Sequence, residues 1–91
     1  MYIIAIFDVN FKTNKEKTEK VLRHFGLRKI QTNTYIGKLN SIELTIFKNE
    51  IEFVIREKDS LLIFPVCEKC YSKKEIFGRE ISFTEDLYRV F

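Results

Sequence analysis

Tryptophan is missing from the 91 residues, histidine and proline occur once each, glycine three times and cysteine twice. Each scarcity excludes something. His24 is the lone histidine and falls in the last turn of a predicted helix, facing solvent or favouring the helix dipole. Ser60 and Thr34 therefore lack an evident activating base, which argues against nucleophilic catalysis. No glycine-rich loop or polar cluster is present, which weighs against a small-molecule regulator. No apolar stretch approaches the roughly 20 residues of a membrane span. Met1 leads straight into a strand-like run without a basic leader, so no signal peptide is expected. The expected location is cytoplasmic, where thiols usually stay reduced.

The two cysteines stand as Cys67-x-x-Cys70. That is half of a zinc site, and the chain offers no second half unless two copies pair across an axis. A redox pair calls for a helix start in a thioredoxin-like frame, which the sequence does not show. A structural disulfide and ordinary thiols are the remaining readings.

What is present is a globular composition, 45% hydrophobic and 32% charged. The length sets one domain, 1–91, large enough to bury a core but marginal by itself, so self-association would help. Net charge is only +3, but it is unevenly spread. Residues 12–29 hold seven lysines and arginines against Glu16 and Glu19, a local +5. Residues 40–59 hold three bases against five acids, a local −2. A one-sided basic surface suits a phosphate backbone, and a plain solvated helix face is the alternative.

The chain is organised around Tyr2-Ile3-Ile4-Ala5-Ile6-Phe7-Asp8. An unbroken apolar run rich in β-branched and aromatic residues predicts a central strand buried on both faces. Asp8 then emerges at its carboxyl end, where ligands gather in helix-covered sheets. Thr13 and Glu16 predict a capping box opening a helix over 13–25, with Thr18, Val21, Leu22 and Phe25 inward and Lys15, Glu16, Glu19, Lys20 and Arg23 outward. Gly26 ends it, with Leu27 as the apolar contact that follows. Residues 28–32 and 34–39 predict two short strands kinked at Thr32-Asn33. Asn40 caps a second helix running to about Glu57, with Leu44, Phe47, Ile51, Val54 and Ile55 inward. Leu61–Val66 reads as a further buried strand, with Pro65 placed near its end or at an edge. In the tail, Glu75–Gly78 and Ile81–Phe83 are short strand candidates, and Tyr88–Phe91 is apolar enough to dock.

The order β-α-β-β-α-β plus a tail predicts an α+β, ferredoxin-like fold with an antiparallel four-stranded sheet and both helices on one face. The other face then needs cover. A second copy of the chain is the economical cover, with the strand-forming tail, about 71–91, packing on or pairing with the partner protomer.

From the residues alone, Asp8 either binds a divalent cation or stabilises the turn before Asn10. Lys12, Lys15, Lys17, Arg28, Lys29 and Lys38 are the candidate phosphate contacts, without sequence readout. Tyr35 reads either as a stacking platform or as a core or interface aromatic, the latter preferred.

The layout resembles the CRISPR-associated protein 2 family over nearly the whole chain. The residues that carry the resemblance are Phe7-Asp8-Val9 closing the first strand, then Lys15, Lys17, Lys20, Leu22 and Phe25-Gly26 along and after the first helix. Lys29-Ile30-Gln31, Asn33 and Thr34-Tyr35 follow, then Leu39-Asn40 with Glu43-Leu44, and Asp59-Ser60 leading into Ile63-Phe64-Pro65-Val66-Cys67. The chain departs from the family pattern at Lys15 and Lys29, where arginine is usual, and at Phe7, where tyrosine is usual. Lysine keeps the charge but loses bidentate phosphate geometry, so a transition-state role is affected more than backbone binding.

The resemblance implies a homodimeric spacer-acquisition protein that holds double-stranded DNA and bridges the CRISPR integrase, CRISPR-associated protein 1. It also implies a Mg²⁺-dependent endonuclease, on RNA or DNA, with Asp8 and its dimer mate sharing the ion. The alternative is a toxin-like metal-dependent ribonuclease of related fold outside a CRISPR system.

Overall fold

The computed structural model describes residues 1–81 and 83. The elements run β1 (Tyr2–Asp8), α1 (Lys12–His24), β2 (Arg28–Gln31), β3 (Thr34–Lys38), α2 (Ser41–Val54), β4 (Ser60–Val66) and α3 (Glu68–Ser72). The sheet order is β2-β3-β1-β4, with every neighbouring pair antiparallel. This is the ferredoxin-like order: each helical crossover leaves room for one strand to insert. β1 is central, as its apolar run predicts, but it is not buried on both faces, since Ile6 is 39% exposed.

Strand alternation divides β1 between two faces. Ile3, Ala5 and Phe7 join Leu22, Leu27, Tyr35, Leu39, Phe47 and Ile51 in the main core beneath α1 and α2. Phe25 and Phe47 meet edge to face, 5.4 Å between ring centres, tying the end of α1 to α2. The second face carries Tyr2, Ile4, Ile6 and Asp8, opposite Val66, Phe64, Leu62 and Ser60 of β4.

α2 starts as predicted: Asn40 Oδ1 accepts the Glu43 N–H at 2.8 Å, and Glu43 Oε1 accepts the Asn40 N–H at 3.0 Å. α1 does not. Its N-cap is Phe11, no side chain caps it, and Thr13 already lies inside the helix. The preceding Asn10 is held by residues 58 and 59, so the chain enters the helix early. Tertiary anchoring outweighs a local cap worth about 1 kcal/mol. Asn33 takes a positive φ of 59° at the predicted kink between β2 and β3.

Three further expectations change. β4 is an edge strand rather than a buried one, with Leu62 56% and Phe64 49% exposed. Pro65, which lacks an N–H, fits such an edge. Glu19 does not point outward; its side chain is only 12% exposed. Cys67-x-x-Cys70 does open a helix, since Cys67 is the N-cap of α3.

α3 folds back over one end of the second face. The Tyr71 ring stacks on Tyr2 at 3.8 Å and 6°, and Phe83 meets Tyr71 edge-on. Ile36, Ile4, Ile30 and Val66 complete this smaller cluster. Residues 75–78 are not a strand, and no strand follows β4 among the described residues. The docking expectation for Tyr88–Phe91 lies outside those residues, as does the serine within Ile81–Phe83.

Candidate functional site

Asp8 ends β1 opposite Ser60 and is exposed on the second face, beyond Ile6 and Leu62. The α3 cluster covers the Tyr2 end of that face. Its other end is left uncovered by the described residues: Ile6, Leu62 and Phe64 are all at least 39% exposed. A carboxylate thus borders an apolar patch on the same side of the sheet.

The loop after Asp8 is clasped. Asp59 Oδ1 accepts the Asn10 N–H at 3.3 Å, Asp59 Oδ2 accepts the Arg56 N–H at 3.2 Å, and Asn10 Nδ2 donates to the Lys58 carbonyl at 3.2 Å. Both oxygens of Asp59 are thereby committed to backbone, which leaves Asp8 as the carboxylate turned toward the bare face. In the sequence Asp59 stands out only in the Asp59-Ser60 pair ahead of β4. Its partner is 49 positions away, and no local signal reveals such a bond.

Among the described residues no three His, Cys, Asp or Glu side chains group as a metal site. The described residues therefore hold no ready-made cage of three such side chains. Magnesium accepts one or two carboxylates and completes its shell with waters and phosphate oxygens. The exposed Asp8 carboxylate is a hard oxygen donor of the kind such an ion takes.

The six candidate phosphate contacts do not share one surface. Lys12, Lys15 and Lys17 lie in the first half of α1, and its first turn holds no acid. Lys12 and Lys15, in the first turn, sit at the positive end of the helix dipole, at a cost of about 0.3–1 kcal/mol each, which a bound anion would offset. Lys29 pairs in register with Tyr35 and so projects on the helix side of β2, 4.0 Å from Glu19. Arg28 pairs with Ile36 and projects on the second face. Lys38 shares that face beside Tyr2, with its ammonium 3.0 Å from Glu68. Tyr35 is fully buried, which makes it a core residue and removes it as a stacking platform.

A helix-covered antiparallel sheet in the ferredoxin-like order, with a terminal aspartate beside an exposed apolar patch, defines a small α+β domain of ferredoxin-like class. A family model described as CRISPR associated protein Cas2 matches residues 1–74. The chain belongs to that family. It is 31% identical over 90 residues to the CRISPR-associated endoribonuclease Cas2 of Dictyoglomus turgidum, covering 96% of this chain and 99% of that one. It is 26% identical over 73 residues to CRISPR-associated endoribonuclease Cas2 1 of Archaeoglobus fulgidus, covering 79% and 78% respectively. The crystal structure of Streptococcus pyogenes Cas2 matches with a TM-score of 0.74 at 19% identity, over 86% of this chain and 100% of that one. A hypothetical protein from Thermus thermophilus matches at 0.75 and 18%, over 89% and 96%. These two likenesses concern the fold. Among the described residues, no helix is long and apolar enough to cross a membrane.

Proposed function

We propose that this protein is a homodimeric nucleic-acid-binding adaptor in CRISPR spacer acquisition, with Mg²⁺-dependent phosphodiester cleavage through Asp8. The observation that carries the reading is the bare patch of Ile6, Leu62 and Phe64 beside Asp8. Two such faces meeting about a two-fold axis bury the patches and bring the two Asp8 carboxylates toward one another. The named activity of the relatives, endoribonuclease, supports the cleavage part.

Asp8 and its mate would hold the ion, which when bound would polarise the phosphodiester and lower the pKa of the attacking water. The chain's own residues hold and frame it. Asp8 binds, Asp59 fixes the loop that follows, and the apolar patch excludes water around the axis. Lys12, Lys15 and Lys17 hold the phosphate backbone without reading bases. The adaptor part needs a surface for the integrase. Ile42, Ile46 and Phe53 lie exposed along one side of α2 and suit a protein partner.

Asp8→Ala separates the parts. Asp8 is exposed at a strand end, so the variant should fold and dimerise. We expect Mg²⁺-dependent cleavage to be lost while duplex binding stays within about twofold. Cleavage that survives the substitution would remove Asp8 from the chemistry. Duplex binding that barely weakens with salt would remove the phosphate-holding role of α1.

A further inference from the structure

Cys67 and Cys70 take no part in the reading above. Cys67 is the residue before α3, and the Tyr71 N–H bonds to its carbonyl at 2.9 Å, closing a helical turn. Within such a turn, α-carbons three residues apart lie about 5 Å from each other. That is inside the span a disulfide bridges without moving the backbone. The Cys70 N–H already points at Cys67 Sγ, 3.4 Å away, so the second side chain starts from the same spot. Both cysteines are free and exposed.

The two thiols are unequal. The Cys70 backbone N–H and the Cys70 thiol lower the pKa of Cys67, while hydrogen bonding to Cys67 raises that of Cys70. One sulfur is thus the better thiolate and the other keeps its proton, the division of labour that exchange requires. Metal binding is a poorer use of the pair, because no third ligand side chain joins them among the described residues. Stapling is also a poor use, since loop-closure stabilisation grows with loop length and this loop is minimal.

We propose that Cys67 and Cys70 form a redox-active dithiol that exchanges with low-molecular-weight disulfides. The Cys67 thiolate attacks one sulfur of the small disulfide and bonds to it as a mixed disulfide, while the other sulfur leaves as a thiolate and takes up a proton. Cys70 then loses its proton and attacks Cys67 Sγ, expelling the second small thiol. The protein gains one disulfide and loses two hydrogens; the small disulfide is reduced to two thiols. The bond would tie the end of β4 to the first turn of α3, the element that lays Tyr71 on Tyr2.

The test uses the reduced full chain with glutathione disulfide, quenched in acid, alkylated and weighed. We expect both thiols to disappear together, giving a species of monomer mass lighter by two hydrogens. Cys70→Ser should stop at one glutathionyl adduct on Cys67. Cys67→Ser should form its adduct about tenfold more slowly at neutral pH. Both side chains are exposed, so the variants should fold, and far-ultraviolet circular dichroism checks this. The wild-type mass stands as a readout independent of them. Two stable glutathionyl groups, a cross-link between chains, equal adduct rates in the two variants, or retained zinc that blocks both thiols would each overturn the proposal.

Discussion

The Tyr35 hydroxyl donates a 2.7 Å hydrogen bond to Glu19 Oε2, joining the centre of the sheet to the inner side of α1. Tyr35 is fully buried, and a buried phenol needs such a partner. Burial first, and then the bond to Glu19, push its pKa up to about 12. The folded state therefore holds this proton more tightly than the unfolded chain does. Its contribution is complete below about pH 10, the unfolded value, and is lost as pH rises toward the folded one. Tyr35→Phe should cost about 1–2 kcal/mol near neutral pH. It should also flatten the fall in stability between about pH 10 and about pH 12. Urea midpoints for both proteins at both pH values check this.

Gly37 marks where β3 touches the segment leaving α1. A methyl group added there would lie 2.9 Å from Leu27 Cα, a contact with backbone that a rotamer change cannot relieve. Gly37→Ala should destabilise by about 1–3 kcal/mol. The urea midpoint should fall with an unchanged slope.

Asp59 holds the two backbone amides of residues 10 and 56. Asp59→Ala removes both bonds at a partly exposed position and should cost about 1–2 kcal/mol. Asp59→Asn keeps one acceptor and should cost less. If the clasp positions Asp8, Mg²⁺-dependent cleavage should drop in both variants with little change in duplex affinity. Equal losses of cleavage and of duplex affinity would show the clasp to be general scaffolding.

Phe64 and Leu62 stand half exposed on the edge strand, on the face that carries Asp8. A charge placed among them would be buried without a partner when two faces meet. Phe64→Glu should raise the dimer dissociation constant at least about a hundredfold. Sedimentation equilibrium at micromolar concentration checks it, with circular dichroism confirming the fold. A chain that sediments as a monomer before any substitution would sink both the shared ion and the paired faces.

From β1 to β4 the sequence determined the elements and their order by local means, whereas α3 and the missing tail strand at 75–78 were not legible in it. The apolar run at Tyr2–Phe7 has nowhere to sit but the sheet centre, and Asn40 with Glu43 caps a helix whatever lies around it. The family resemblance was legible for the same reason, since it rests on ordered short patterns. What the tertiary structure decided depends on partners far apart in the chain. Alternation along β2 and β3 sent Lys29 to one face and Arg28 and Lys38 to the other, dividing a charge that reads as continuous in one dimension. The buried hydroxyl of Tyr35 turned Glu19 inward, and Asp59 moved the start of α1. The chain's return at α3 brought Cys67 and Cys70 into one helical turn and left only half of the second face bare. Local preference is written in neighbours along the chain, whereas the face a side chain occupies is set by which strand lies beside it.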